Sequence, residues 1–414
     1  MAGLPETVVL LGGGTASAAA ASNLRHLGFD GRVVLVSEED VPPYERPPLS
    51  KEVLAGSMAS GDATIRAEEW YRDNDVDLVL GTRAIAIDVD SSAIETVGAG
   101  TIPYHHLLVA TGGRARRLPG FEGDRILHLR TRGDSEKLAR RLRDGSRAVV
   151  LGGGFIGCEV AATARGLGVE VTIIEMEEQC LRAPLGERYG RAITEIHRDA
   201  GCTLRLGERV TSVVETPDGL AVTTDRGRVE CEWLLVAAGM IPNTELAHRT
   251  AIEVEGGIRV DRHCRTSVLN VYAAGDVASG QQPGGGYLRV EHHENAMRQG
   301  AVVARNIVGE NAVDDSPHWF WSDQYDLTIQ SLGHFDPHAR HVIRGSIEDR
   351  AFSAFQLSDA DGDTKKIVAV LTIGRPRDIF AARKLMRAGT AVTAEQVEDL
   401  STDLRRIGRP RRRR

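Results

Sequence analysis

Val8-Val9-Leu10-Leu11-Gly12-Gly13-Gly14-Thr15-Ala16-Ser17 decides the fold, because Val149-Val150-Leu151-Gly152-Gly153-Gly154-Phe155-Ile156-Gly157 repeats it 140 residues later. In each stretch an apolar run reads as a buried strand, the glycines as a turn, and the Ala-rich segment beyond as a helix. Glycine lets the backbone approach a pyrophosphate, whose charge then rests on the helix N-terminus. Each following strand closes on an acid, Glu38 after Val33-Val34-Leu35-Val36 and Glu175 after Val171-Thr172-Ile173-Ile174. A carboxylate there suits a ribose with free 2′ and 3′ hydroxyls. One such unit binds one dinucleotide, so two in one chain predict an enzyme that holds two dinucleotides and passes electrons between them. In the first copy Ser17 stands where the third glycine of the pattern belongs, a small residue that loosens the helix–strand approach without abolishing it.

The rest of the chain narrows the class. Its 414 residues, 42% hydrophobic and 26% charged, predict a globular protein of two or three domains. No apolar run reaches bilayer length and no basic n-region precedes the first strand, so no membrane partner and no secretory signal are expected. A net charge of −7 argues against a nucleic-acid partner. The five cysteines, Cys158, Cys180, Cys202, Cys231 and Cys264, form no CxxC and none precedes residue 158. They predict reduced thiols in a cytoplasmic protein and exclude a redox cysteine pair in the first unit. Neither they nor the 13 histidines, including His105-His106, His292-His293 and His334/His338/His341, show ligand spacing, so no metal is expected.

The motifs also order the chain. Val41-Pro42-Pro43-Tyr44-Glu45-Arg46-Pro47-Pro48-Leu49-Ser50-Lys51 is too proline-rich for a helix before its end. Three further strands run into glycine turns, through Ala110-Thr111-Gly112, Gly239 and Gly275-Asp276. Helices are expected over Asp134 to Arg143, Glu291 to Val308 and Arg377 to Ala388, and antiparallel strands from Trp319-Phe320-Trp321 to Ile373. The fold class is therefore α/β, with two Rossmann-like dinucleotide-binding domains, the second inserted in the first, and a C-terminal α+β domain.

Taken together, these residues resemble the FAD-dependent NADH:ferredoxin reductases of the glutathione-reductase-like fold, a group that includes putidaredoxin reductase, Rieske dioxygenase reductases and apoptosis-inducing factor. The resemblance runs over nearly the whole chain. It rests on the two fingerprints with their acids, Arg46-Pro47-Pro48-Leu49-Ser50-Lys51, Ala110-Thr111-Gly112, Glu159, Gly275-Asp276, Arg289-Val290-Glu291 and Trp321-Ser322-Asp323-Gln324-Tyr325. It implies an FAD domain over 1–116 and 244–314, an NAD domain over 117–243, a C-terminal domain over 315–405 that packs over the flavin, and a disordered basic tail over 406–414.

The resemblance also assigns roles. Gly12, Gly14, Ser17, Glu38, Arg46, Ala110, Thr111, Gly112, Asp276, Glu291, His292 and His293 would hold FAD, with Arg46 on the pyrophosphate and Asp276 on a ribityl hydroxyl. Gly152, Gly154, Phe155, Ile156, Gly157, Glu175 and Gly239 would hold NAD. Lys51 would be the cation beside the flavin, Glu159 its partner, and Trp321 a neighbour of the ring. Many relatives carry Trp where this chain has His293, which puts a titratable ring in place of an aromatic wall. The implied activity is hydride transfer from NADH to FAD and single-electron delivery to an acidic [2Fe–2S] ferredoxin that serves a P450 or Rieske oxygenase. A monomer or weak dimer is expected. An NADH oxidase and a signalling or assembly flavoprotein are the alternatives.

Overall fold

The computed structural model describes residues 6–143, 145–282, 284–358 and 362–408, so the arginines beyond Gly408 lie outside the described residues. The chain divides into two compact units. One comprises Met1–Leu49, Met58–Ala115 and Met240–Ser316, the other Ser50–Ser57, Arg116–Gly239 and Pro317–Arg414. Ser50–Ser57 thus groups with the second unit, although its sequence neighbours on both sides belong to the first.

In the first unit Thr7–Leu11 is the middle strand of a five-stranded parallel sheet. Arg32–Val36 and Val76–Val79 extend it on one side, His106–Val109 and Val271–Ala273 on the other. Val8 and Leu10 pack against Ala16, Ala20 and Leu24 of the helix Thr15–His26, while Val9 and Leu11 pack on the opposite face with Val34, Val36 and Val109. Both faces are covered, which is why the strand reads as an unbroken apolar run rather than an alternating one. The helix His293–Ile307 packs against Thr15–His26. Gly300 permits their approach, since a Cβ there would stand 2.2 Å from the Ala16 carbonyl oxygen.

The edge strand Val271–Ala273 reaches this sheet only after the second dinucleotide-binding unit has been completed. Gly113–Ala115 and Met240–Pro242 pair antiparallel where the chain leaves and re-enters. The second domain is therefore inserted in the first.

The second unit holds a parallel sheet ordered Thr203–Leu206, Glu170–Glu175, Arg147–Leu151, Trp233–Val236, Ile126–Leu127. Its C-terminal part is a six-stranded antiparallel sheet, with the helix Pro376–Arg387 packed on Leu332, Phe355 and Val370 through Ile379, Ala382 and Leu385. The helix expected from Asp134 starts earlier, at Arg132, because Thr131 and Asp134 form a reciprocal capping box; it ends at Ala139. Among the described residues no helix is long and apolar enough to cross a membrane.

Candidate functional site

The first glycine turn is shaped for a close backbone approach. Gly12 has φ +125°, and a Cβ on it would stand 2.2 Å from the Ala110 carbonyl oxygen. Gly14 caps the helix Thr15–His26 with no side-chain cap bond, no acid in the first turn and open space around it. Helix-start N–H groups left this way fit a pyrophosphate. Ser17 is fully buried, and its hydroxyl has no hydrogen-bond partner among the described residues. The matching Gly157 has no room for any side chain, since its Cβ would stand 2.0 Å from the Gly152 carbonyl oxygen.

Glu38 differs from the expectation that it closes its strand. Leu11 pairs with Val36 as Leu151 pairs with Ile174, so Ser37 occupies the position that Glu175 holds in the second unit. Ser37 is buried close against Gly13, and Glu38, one residue further, is exposed. Arg46 Nη2 lies 3.2 Å from Glu39 Oε1, and the guanidinium sits 5.3 Å from the Tyr44 ring centroid. Burial alone would lower its pKa, but Tyr44, Glu39 and Asp276 hold it above the ordinary value. Asp276 lies on a short 3₁₀ turn after Gly275, whose φ is +77°.

His293 opens the helix His293–Ile307, with Nδ1 3.3 Å from Thr15 Oγ1 and Nε2 4.0 Å from Glu45 Oε1. Burial pushes its pKa down, against partial opposition from Glu45 and Asp276. The fold thus brings the first fingerprint, Arg46, Asp276 and His293 to one end of the first unit's sheet. His292 is the N-cap of that helix, and Glu291 is exposed and paired with Arg289. Thr111 donates to the Asn243 carbonyl at 2.8 Å, and Asn243 returns a bond to the Thr111 carbonyl at 2.9 Å. Together with Gly112 at φ +60°, these bonds lock the turn beside Gly12.

The second fingerprint repeats the geometry. Gly152 has φ +110°, with the Ala237 carbonyl oxygen 2.5 Å from a Cβ position, and Gly154 caps the helix Phe155–Gly166 without a side-chain bond. Glu175 ends its strand, accepting from Gly153 N at 2.6 Å and Glu177 N at 2.9 Å. Phe155 meets Phe320 edge-on at 4.8 Å, Ile156 is 43% exposed, and Gly239 (φ +89°) faces open space. Beneath this turn the Cys158 thiol donates to the Gly153 carbonyl oxygen at 3.4 Å, and Cys180 N donates to Thr194 Oγ1 at 3.0 Å. All five cysteines are free and buried.

One turn into the same helix, Glu159 gathers three donors. Lys51 Nζ lies 2.9 Å and Ser50 Oγ 2.5 Å from Oε2, and Ser322 Oγ lies 2.7 Å from Oε1. Lys51 and Glu159 are 11% and 6% exposed. Trp321, next to Ser322, stacks on Trp319 at 5.0 Å. Ser50, Ser322 and Gln324 stand inside the Arg-Pro-Pro-Leu-Ser-Lys and Trp-Ser-Asp-Gln stretches, but nothing in those motifs marks their hydroxyl and amide roles. His197, which joins them through Gln324, carries no sequence signal at all.

Both glycine turns fit dinucleotide phosphates, and the comparisons with known proteins agree. Residues 6–300 match the family described as Pyridine nucleotide-disulphide oxidoreductase, and residues 319–408 match Reductase C-terminal. Rhodocoxin reductase of Rhodococcus erythropolis is 35% identical over 405 residues, covering 96% of this chain and 93% of that one. The anthranilate 1,2-dioxygenase system ferredoxin–NAD(+) reductase component of Burkholderia cepacia is 36% identical, covering 97% and 98%. Among solved structures, the covalent putidaredoxin reductase–putidaredoxin complex matches with a TM-score of 0.91 at 31% identity, covering 97% of this chain and 98% of that one. With both domains matched and full-length relatives above 30% identity, the chain belongs to the pyridine nucleotide-disulphide oxidoreductase family, and within it to the FAD-dependent ferredoxin reductases that carry the reductase C-terminal domain.

Proposed function

We propose that this protein takes hydride from NADH and delivers single electrons to a [2Fe–2S] ferredoxin that serves a cytochrome P450 or a Rieske-type oxygenase. When bound, FAD supplies the conversion from a two-electron donor to a one-electron acceptor. The observation that carries the reading is the buried Lys51–Glu159 pair one turn beyond an open glycine turn. Held there, Lys51 is the cation that favours an electron-rich ring, and Glu159 keeps it in place.

The other side chains bind and orient. The Gly12–Gly14 and Gly152–Gly154 turns take the phosphates, Arg46 adds a guanidinium fork for paired phosphate oxygens, and Glu38 and Glu175 accept from ribose hydroxyls. Asp276 accepts from a hydroxyl on the flavin side, and Trp321 borders the ring. The thiols take no part, because all five are buried and none lies in the first fingerprint segment. Free thiols also support a cytoplasmic location. The domains follow the fingerprints: FAD over 1–116 and 244–314, NAD over 117–243, and the C-terminal domain over 315–405.

NADH-driven cytochrome c reduction, measured with and without added [2Fe–2S] ferredoxin, tests the reading. It should depend on ferredoxin. Oxygen consumption that accounts for all NADH used, with no effect of ferredoxin, would make the protein an oxidase instead.

A further inference from the structure

Beyond Glu159 the buried polar groups of the second unit form a continuous line. Ser322 Oγ donates to Glu159 Oε1 at 2.7 Å, and Gln324 Nε2 donates to Ser322 Oγ at 3.1 Å. His197 Nε2 lies 3.0 Å from Gln324 Oε1, and its Nδ1 lies 2.9 Å from the Tyr325 hydroxyl. Cys202 Sγ lies 3.5 Å from the same hydroxyl. Ser322 and His197 are fully buried and Gln324 nearly so.

Donor arithmetic gives this line one direction. A carboxylate beside an ammonium only accepts, so the single Ser322 proton goes to Glu159 and Ser322 must accept the Gln324 amide. The Gln324 carbonyl then faces His197, whose Nε2 must carry hydrogen. Burial pushes the His197 pKa down to about 4, so the ring is neutral and Nδ1 accepts from Tyr325. The Tyr325 oxygen is left to accept from Cys202. Every donor in the line points toward Glu159. Leucine or phenylalanine would fill the same core without the cost of burying polar groups. Tyr325 also adopts φ +56°, left-handed backbone that an aromatic residue takes only against a steric penalty. Both features mark a built element.

We infer that His197 and Gln324 are positioning residues for Lys51. The line fixes Gln324 in one amide orientation and Glu159 in one rotamer, and Glu159 thereby holds the Lys51 ammonium in a single place. The inference rests on the reading of Lys51 as the flavin's cationic neighbour. Its mechanical part, from His197 to the Lys51 ammonium, stands apart from that reading.

Gln324→Met keeps the length of the side chain and removes both hydrogen bonds. In the intact protein, nitrogen NMR should show His197 as the Nε2–H tautomer and a distinct Lys51 ammonium signal. In Gln324→Met the tautomer should become mixed, the Lys51 signal should shift, and flavin reduction by NADH should slow about tenfold, as for loss of one buried hydrogen bond. A folded Gln324→Met with an unmoved Lys51 signal and an unchanged rate overturns the inference. Should that variant not fold, His197→Gln and His197→Phe carry the comparison. The Gln amide can still donate toward Gln324 and should restore most of the Lys51 signal and rate, whereas Phe should not; equal behaviour of the two overturns the inference. Lys51→Met separates the two claims. If it leaves flavin reduction unchanged, the role of Lys51 fails, while the NMR comparison still decides whether the line holds Lys51.

Discussion

Lys51 Nζ lies 2.9 Å from Glu159 Oε2 with both side chains almost wholly withdrawn from solvent. Such a pair is tolerable only because Ser50 and Ser322 satisfy the remaining carboxylate lone pairs. Breaking it from either side strands a buried charge. Glu159→Gln and Lys51→Met should each destabilise the fold by roughly 3–5 kcal/mol, read from denaturant unfolding. The double variant should lose clearly less than the two together. Strictly additive losses would show that the pair is not coupled.

Glu175 sets the second expectation. Its carboxylate is pinned to Gly153 N and Glu177 N, which fixes it at the end of the strand beside the glycine turn. A ribose hydroxyl can donate to it, whereas a 2′-phosphate would meet a like charge. Arg182, the nearby cation, is turned toward Glu177 at 3.7 Å. NADH should therefore exceed NADPH in kcat/KM by roughly 100-fold, and Glu175→Ala should narrow the gap mainly by improving NADPH. Equal kcat/KM for both cofactors in the unaltered protein refutes the assignment.

His197 makes a pH prediction whose sign is fixed by burial. Its folded pKa is about 4 against an ordinary 6.5, so the unfolded chain binds the proton more readily. Its contribution to stability is complete above about pH 6.5 and is lost as pH falls toward about 4. Unfolding midpoints of the intact protein and of His197→Gln should draw together across that window. A constant difference between them from neutral pH down to pH 4 would contradict the assignment of a buried neutral ring.

The first fingerprint helix offers a stability test in both directions. Ser17 buries a hydroxyl with no hydrogen-bond partner among the described residues, so Ser17→Ala should stabilise by about 1 kcal/mol. Gly300→Ala should destabilise strongly, because its Cβ would press on the Ala16 carbonyl oxygen from 2.2 Å. Thermal melts with FAD bound read both; a rise in Tm for Gly300→Ala would mean the two helices are not in contact as described.

Much of this is legible in the sequence. Gly12, Gly152 and their strands announce two dinucleotide folds because the constraint is local: a few consecutive residues make strand, turn and helix start. The insertion follows from order along the chain, since Val271–Ala273 can complete the first sheet only after the second unit is finished. The Lys51–Glu159 pairing came from resemblance, for nothing in the spacing of residues 51 and 159 joins them. Glu38 lies one register position beyond the place that Glu175 holds, because a sequence shows that an acid follows the strand but not that Ser37 takes the place under Gly13. His197 and its line of partners were invisible. A buried histidine on a helix leaves no periodic trace, and its partners lie some 127 residues away.

The electron acceptor gives the last prediction. Among the arginines that could meet an acidic partner, Arg114 is paired with Glu245 at 2.7 Å and Arg375 with Asp378 at 2.6 Å, while Arg383 lies over Trp319 at 4.8 Å. Their charges are partly committed. On the helix Pro376–Arg387, however, Arg377, Phe380, Lys384 and Arg387 are all exposed at near-helical spacing, with Phe380 at 64%. That face presents three cations around an apolar centre, the composition an acidic ferredoxin would dock on despite the net charge of −7. Steering by such a patch weakens as added salt shortens screening to about 8–10 Å. Ferredoxin-dependent cytochrome c reduction should therefore slow as salt rises, and Arg377→Glu with Lys384→Glu should slow it further while flattening the salt dependence. Ferricyanide reduction, which needs no docking, should change little in either case. A charge-reversed protein that reduces ferredoxin at the original rate, with the original salt slope, would remove this face from the electron path.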